Sequence, residues 1–451
     1  MKRKKGKRKV YLFTLRNNKK KFRNGLCRKK GAIKIRNKAS DRETDDNFLG
    51  NDYNKVISHL NNKNFKLSKL RLNSHACERI KIPEEFSISE NAEQVISILR
   101  WVYTVAINPK IDKIIFDHSE CVNLGLSAST MMDIIILAVQ KYRERNMHPL
   151  VLEGELPYDA KVRDILLASG LPYHLGAESM VEFDKDHVER FETIMGVHDL
   201  YANKSDETAT KLTNYFNKCL KTQSMELNDE GKRLLSRILG EVISNCEIHG
   251  GDVATWYTQG HYQIRRDNFG EMQLLFLTIG NTIYEGLKST SSNETKEKLL
   301  YILNAHHKYL SKQWDEEMIY TVFALQEGIS RLRDKSIEGY ESRGSGTVSM
   351  IEMFNDIGES ETGLKPRMTI ISGRTQIKFG ENYKMKSVSF CNDRVFETGD
   401  KKIIAFNNEN NIYYPADPEN VKKISQYFPG TIISLKFYLD SRYIVKRKKK
   451  G

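Results

Sequence analysis

A carboxylate and a carboxamide stand four residues apart, at Glu241 and Asn245, within RLLSRILGEVISNCEIHGG (233–251). Residues at this spacing share one face of a helix, so both side chains, and His249 one turn further on, point roughly the same way. A carboxylate can accept a proton from a water, while an amide oxygen can ligate a Mg²⁺ that is bound to phosphates. A pair of solvent-facing polar residues is the commoner explanation of this spacing when it occurs in isolation.

The sequence around this pair predicts one helix and several strands. Apolar residues that recur at intervals of three and four predict the helix: Leu234, Leu235, Ile238, Leu239, Val242 and Ile243. Residues 274–287 predict an apolar strand that enters a glycine turn, and residues 341–350 predict a glycine-rich loop that opens a helix. Residues 368–379 are typical of a strand hairpin, and residues 430–437 of a terminal strand.

In this order, the elements resemble the GHKL ATP-binding fold of sensor histidine kinases, DNA gyrase B, Hsp90-type chaperones and MutL-type repair proteins. The resemblance implies that residues 226–440 form an α/β sandwich in which helices cover a mixed sheet. It also implies ATP and Mg²⁺ as cofactors. In that fold the matching glutamate, Glu241, activates a water and the matching asparagine, Asn245, coordinates the metal. His249 matches a residue close to the phosphates, although a capping or core histidine explains it equally well.

The remaining site residues also follow from the resemblance. Thr278 and Gly280 would border the adenine, but Thr278 replaces the family's aspartate and Thr282 replaces its second glycine. A threonine hydroxyl accepts a hydrogen bond from an amine more weakly than a carboxylate does. Thr431 matches a position near the adenine. A further group resembles the phosphate-binding loop, whose glycines admit backbone amides to the phosphates: Arg343, Gly344, Ser345, Gly346 and Thr347.

A long charged segment between Ile283 and Tyr340 is predicted to be helical. The GHKL fold places its mobile ATP lid here. Ser330, Arg331 and Arg333 are candidate phosphate donors on this segment, and a solvated helix face is the alternative explanation.

Strands and helices alternate through residues 73–191, which predicts a second α/β domain with a largely parallel sheet. Its order, with Asp117 closing a strand and a helix beginning near Ser127, resembles the STAS domain of anti-sigma-factor antagonists. That resemblance implies a protein partner and makes Ser127 a candidate phosphoacceptor. A helix N-cap serine is the alternative, and it is favoured because Gly125, Leu126 and Ala128 depart from the family's motif.

Charge is distributed unevenly over the 451 residues. Residues 1–38 carry 18 Lys or Arg and no acid, so the rest of the chain is close to −4 (14 − 18). The sequence predicts a disordered basic tail over residues 1–45 and a linker over 46–72. It also predicts a helical connector over 192–225, which would join domains or pair two chains as a homodimer, and a basic C-terminal tail over 441–451. The N-terminal tail suits a nucleic acid or another polyanion; an anionic membrane surface, or no specific partner, are the alternatives.

The cysteines and the hydropathy pattern indicate the compartment. The six cysteines form no CxxC pair, which is typical of reduced thiols rather than of a disulfide or zinc framework. No apolar run approaches the roughly 18 to 20 residues that span a bilayer, and no secretory h-region follows the basic start. We therefore expect a cytoplasmic protein without a membrane span.

These observations predict a Mg-ATP-binding protein that hydrolyses ATP slowly and uses it as a conformational switch. Two alternatives remain: a protein serine kinase of the anti-sigma-factor type, and a degenerate, non-catalytic scaffold for nucleic acid or protein.

Overall fold

Helices and strands alternate along the chain in a computed structural model that describes residues 10–14, 32–36, 52–68, 77–175, 188–197, 204–264, 269–329, 346–356 and 364–439. The chain divides into two compact units, Met1–Val188 and Glu189–Gly451. Parallel strands occur in the first unit and antiparallel strands in both, so the protein is mixed α/β. Some predicted phosphate-binding residues lie outside the described residues: Ser330, Arg331, Arg333, Arg343, Gly344 and Ser345.

The first unit is built on a five-stranded sheet. The strands of this unit, inside and outside the sheet, are β1 (Val10–Thr14), β2 (Ala32–Arg36), β3 (Cys77–Lys81), β4 (Glu85–Phe86), β5 (Lys113–Asp117), β6 (Asn123–Leu124) and β7 (Val151–Glu155). The sheet order is β2-β1-β7-β5-β3, and β4 pairs with β6 separately. Strands β3, β5, β7 and β1 run parallel, while β2 is antiparallel to β1.

Helices connect these strands, as a parallel sheet requires. They are α1 (Tyr53–Leu60), α2 (Ile88–Ala106), α3 (Leu126–Asn146), α4 (Ala160–Ser169) and α5 (Leu171–His174). Helix α3 packs against both α1 and α2. Gly125, not Ser127, occupies the N-cap of α3, so the expectation of an N-cap serine is wrong. Ser127 is the second residue of the helix and is 2% exposed.

Strands β1 and β2 lie inside the range that the sequence predicts to be a disordered tail. Here the structure differs from that expectation, because the high positive charge of the range conceals two short β-prone runs, VYLFT and AIKIR. Strand β1 pairs with β7 from Tyr11 to Thr14, and β2 then extends the same edge.

The second unit is built on another five-stranded sheet, of order β11-β14-β10-β9-β8. The strands of this unit, inside and outside the sheet, are β8 (Val188–Val197), β9 (Thr255–Ile264), β10 (Gly270–Ile279), β11 (Arg367–Phe379), β12 (Lys386–Phe390), β13 (Gly399–Ile403) and β14 (Val421–Leu439). The pairings β11/β14, β14/β10 and β10/β9 are all antiparallel, and β12 and β13 form a separate antiparallel pair.

Helices α6 (Lys204–Lys221), α7 (Asp229–His249), α8 (Ile283–Lys288), α9 (Asn293–His306), α10 (Glu316–Phe323) and α11 (Gly346–Asp356) complete the second unit. Helix α7 packs on β9 and β10 and is flanked by α6 and α11. The core between helices and sheet includes Ile243 of α7, Phe276 of β10 and Phe437 of β14.

Two element predictions in this unit need correction, and a third is confirmed. Residues 192–197 belong to β8 and not to a helical connector, which leaves α6 as the helix of that range. Residues 368–379 form one continuous strand, because Gly373, at φ +60°, makes an irregularity in the β11/β14 register and not a hairpin turn. Residues 283–323 are helical as predicted, and they form three helices, α8 to α10, with a 3-10 turn at His307–Tyr309.

None of the helices in the described ranges combines the length and the apolar character needed to cross a bilayer.

Candidate functional site

Helix α7 is long and well anchored, and it positions most of the candidate residues. Asn228 caps its start, because its side chain accepts a hydrogen bond of 2.7 Å from the Gly231 amide. Its apolar stripe, which includes Ile238, Leu239 and Val242, is buried against the core as predicted, whereas Leu234 is 48% exposed. The buried stripe fixes the rotation of α7, and this rotation decides which polar residues face the neighbouring space.

That space is a cavity of about 940 Å³ within the second unit. Two rows of α7 side chains line it, each at four-residue intervals. The first, which we call the α7 polar row, consists of Arg233, Arg237, Glu241, Asn245 and His249. The second, the α7 small row, consists of Ser236, Gly240 and Ser244. Small side chains leave room beside the polar ones, so the cavity follows α7 for most of its length.

Six of the residues predicted from the sequence line this one cavity: Glu241, Asn245, His249, Thr278, Thr347 and Thr431. Glu241 and Asn245 are half-buried and lie one helical turn apart, about 6 Å along the axis. Gly280 is not part of the lining, and Gly346 is the first residue of α11. The loop that precedes Gly346 falls outside the described residues.

The hydroxyls of Thr278 and Thr431 line the sheet side of the cavity, and Ser372 lies behind them on the next strand. Thr278 of β10 is paired with Thr431 of β14, which is paired in turn with Ser372 of β11. The Thr278 hydroxyl donates a hydrogen bond of 3.2 Å to the Cys246 carbonyl, and the Ser372 and Thr431 hydroxyls lie 2.9 Å apart. Thr278 therefore keeps lone pairs that can accept a hydrogen bond, but it has no carboxylate charge.

Close backbone approach holds this hydroxyl row against the end of α7. A Cβ on Gly280 would lie 2.4 Å from the Gly250 carbonyl oxygen, and one on Gly430, at φ +138°, would lie 1.9 Å from the Thr278 carbonyl oxygen. The Asn281 amide donates to the Gly250 carbonyl at 2.8 Å. Gly280 thus has a structural part at the joint between α7 and β10 and does not touch the cavity itself.

Cys246 is the thiol nearest to this joint. Burial raises its pKa to about 11, so the thiol is neutral at pH 7. A neutral, buried thiol is a poor nucleophile. We assign Cys246 to the wall of the cavity and not to chemistry.

Sequence reasoning missed several lining residues. Arg233 and Arg237 extend the α7 polar row, and Ser205, Asp206 and Thr210 of α6 also line the cavity. The four-residue spacing from Arg233 to Glu241 would have identified the two arginines. No spacing in the sequence identifies the α6 residues, because only the packing of α6 against α7 brings them to the cavity.

A second group of polar residues lies inside the first unit. Asp133 of α3 is fully buried, and its carboxylate Oδ2 lies 3.9 Å from Nε2 of His174. Burial raises the pKa of Asp133 well above its usual value. At the end of β5, Asp117 accepts a hydrogen bond of 3.0 Å from Arg79, which also donates to Glu155 at 2.7 Å. The two carboxylates that end β5 and β7, Asp117 and Glu155, are therefore paired with Arg79 in an ion-pair network within the first unit.

Across the residues that the structure describes, His, Cys, Asp and Glu nowhere form a group of three or more that could hold a metal ion. A single amide ligand such as Asn245 suits a Mg²⁺ that keeps waters and takes its other ligands from phosphates.

Comparison of the chain with protein-family models, with curated proteins and with solved structures gave no match. Its function therefore has to be argued from the residues that meet at the cavity.

Proposed function

We propose that the second unit binds ATP with Mg²⁺ and hydrolyses it slowly, as a GHKL-like nucleotide switch. The observation that supports this most is that Glu241 and Asn245, on successive turns of α7, face the same cavity of about 940 Å³. The cavity lies within the range of volumes, roughly 300 to 1,000 Å³, that is typical of small-molecule sites.

The residues around the cavity fit the two ends of a nucleotide. Ile370, Ile433 and Leu287 join the hydroxyls of Thr278 and Thr431 at the sheet side, which suits a flat base with a polar edge. Arg233 and Arg237 lie on α7 beyond Glu241, which suits phosphates. The base therefore belongs at the strands and the phosphates along α7.

Each α7 residue then has a defined part. Mg²⁺, when bound, neutralises phosphate charge, and the Asn245 amide oxygen would hold it. The Glu241 carboxylate would accept a proton from the attacking water. Thr278 would accept a hydrogen bond from the base, more weakly than an aspartate would.

Calorimetric titration of ATP into the full chain, with and without Mg²⁺, tests binding. We expect Asn245→Ala to weaken Mg-dependent ATP binding by about tenfold or more, because the metal loses a ligand. The absence of ATP binding by the wild-type chain would leave the scaffold as the remaining explanation.

Incubation with γ-labelled ATP tests the chemistry. We expect free phosphate from the wild type, and a loss of about 10²- to 10⁴-fold in rate for Glu241→Gln with ATP binding kept. Glu230→Gln is the matched control, since Glu230 is an exposed carboxylate on the same helix away from the cavity. Label on protein instead of free phosphate would identify a kinase.

A switch acts on a partner, and the sequence offers three. The basic N-terminal tail suits a nucleic acid or another polyanion, the STAS-like first unit suits a protein, and a second copy of the chain would form a homodimer.

A further inference from the structure

The α7 polar row continues past the residues needed for metal binding and hydrolysis. Arg237 lies one turn before Glu241, and Arg233 one turn before Arg237, so they stand about 6 and 12 Å from Glu241 along the axis. Both line the cavity and both are exposed to solvent. Within the described part of the chain, neither guanidinium has a carboxylate within ion-pair distance. Lys232, their neighbour, lies off the cavity and is 3.8 Å from Asp229.

Helix α6 also contributes to the cavity lining. Ser205 and Thr210 contribute hydroxyls and Asp206 contributes a carboxylate. Among the described lining residues, Arg233 and Arg237 balance Asp206 and Glu241 in charge, but the arginines lie on the N-terminal side of Gly240 while Asp206 lies beside it. Helix α6 packs beside this part of α7, since a Cβ on Gly240 would lie at an ordinary contact distance of 3.7 Å from Ala209 and from the Asp206 carboxylate. The positive charges therefore lie toward the N-terminal end of α7, whereas Thr278 contacts Cys246 near the C-terminal end.

We propose, building on nucleotide binding as proposed above, that Arg237, assisted by Arg233, binds the terminal phosphate and makes the site select nucleoside triphosphates over diphosphates. A base anchored at Thr278 and Thr431 directs the phosphates along α7 past Asn245 and Glu241. A diphosphate stops one phosphate group short of Arg237. Guanidinium groups bind phosphate oxygens in a bidentate manner, so the contact discriminates by geometry as well as by charge.

Titration of ATP and of ADP into the full chain, each with Mg²⁺, tests this selectivity. We expect Arg237→Gln to lose about tenfold in ATP affinity while ADP affinity stays within about twofold. Arg233→Gln should show the same pattern with a smaller loss. Lys232→Gln is the matched control, because it removes one positive charge from the same helix outside the cavity, and it should leave the ratio of ATP to ADP affinity unchanged.

Salt gives a second measurement on the wild type. Because both arginines are exposed, their attraction for phosphate is screened, and the preference for ATP should shrink between about 50 mM and 500 mM NaCl. Should Arg237→Gln fail to fold, Arg237→Lys, which keeps the charge and loses the planar fork, should give an intermediate ATP to ADP ratio.

The outcomes separate the two proposals. Equal losses for ATP and ADP in Arg237→Gln, or no loss for either, overturn the assignment of Arg237 and leave nucleotide binding standing. A wild-type chain that binds neither nucleotide overturns both.

Discussion

Asp133 is an acidic side chain whose burial affects the pH dependence of stability in the first unit. It sits fully buried in α3 with its carboxylate 3.9 Å from the His174 ring, which is too long for a hydrogen bond. Burial raises its pKa well above the usual value, so the folded protein retains a proton that the unfolded chain releases above about pH 4. Stability contributed by this group is therefore present at low pH and is lost as the pH rises toward the folded-state pKa.

Asp133→Asn should show this directly, because the amide resembles a protonated carboxyl and has no proton to lose. We expect the variant to be more stable than the wild type at pH 8, with a difference that shrinks by about 1.4 kcal/mol per pH unit once the pH is below the folded-state pKa. Urea unfolding at a series of pH values measures this difference in the free energy of unfolding. Glu144→Gln, at an exposed position of the same helix, should show no such trend. A constant difference would mean that the pKa of Asp133 is the same in the folded and the unfolded protein, and would contradict the raised pKa.

The candidate site shows which residues a sequence can locate. Glu241, Asn245 and His249 were found because the helical period alone places them on one face. The row formed by Thr278, Ser372 and Thr431 could not be found from local spacing, because strand register brings together residues that are far apart in sequence. Thr278 and Thr431 were named only through a family resemblance, and Ser372 was not named.

Gly280 allows the end of α7 and the end of β10 to approach each other closely. A Cβ on Gly280 would lie 2.4 Å from the Gly250 carbonyl oxygen and 2.6 Å from the Ala254 side chain. Neither neighbour can rotate away, since one is backbone and the other is a methyl group. Any side chain at Gly280 must therefore separate the end of α7 from β10.

Gly280→Ala should destabilise the second unit by about 1 to 3 kcal/mol, which is usual for overpacking, and should weaken ATP binding because Thr278 shifts relative to Cys246. Thermal unfolding and ATP titration measure the two effects. Gly380→Ala is the matched control, since a Cβ there meets nothing within 4 Å, and it should be neutral or slightly stabilising. Equal behaviour of the two variants would show that the joint adapts and that the close approach is unimportant.

Elements were predicted well where one period dominates. Strand β5, KIIFD, and helix α7 follow from an apolar run and an apolar stripe, because each buries one face against its own unit. Strand β8 was missed because its polar and apolar residues do not alternate cleanly, as in VERFETIMGV. Gly373 was mistaken for a turn because a glycine at a strand irregularity and a glycine at a hairpin look alike in sequence.

Charge is the property that belongs to the molecule as a whole. Residues 1–38 carry 18 positive charges, and the remainder is close to −4 (14 − 18). A body with that net charge repels a polyanion at long range, so affinity for nucleic acid would have to come from the tail. Strands β1 and β2 lie in the same range and extend the sheet of the first unit. Deleting the whole range would therefore alter the sheet as well as the charge.

A sharper test neutralises only the residues that precede β1, by changing Lys2, Arg3, Lys4, Lys5, Lys7, Arg8 and Lys9 to Gln. If the tail binds a phosphate backbone, the slope of log K against log salt for duplex DNA should become less steep by up to about 6, from roughly 0.9 per contact. Affinity at low salt should fall with it, while thermal unfolding stays unchanged because β1 is kept. Neutralising residues 446–450 is the comparison, since it removes five charges from the other terminus. An unchanged slope in the N-terminal variant would show that this part of the tail does not contact the DNA backbone, whereas equal slope changes per charge in both variants would show binding by net charge alone.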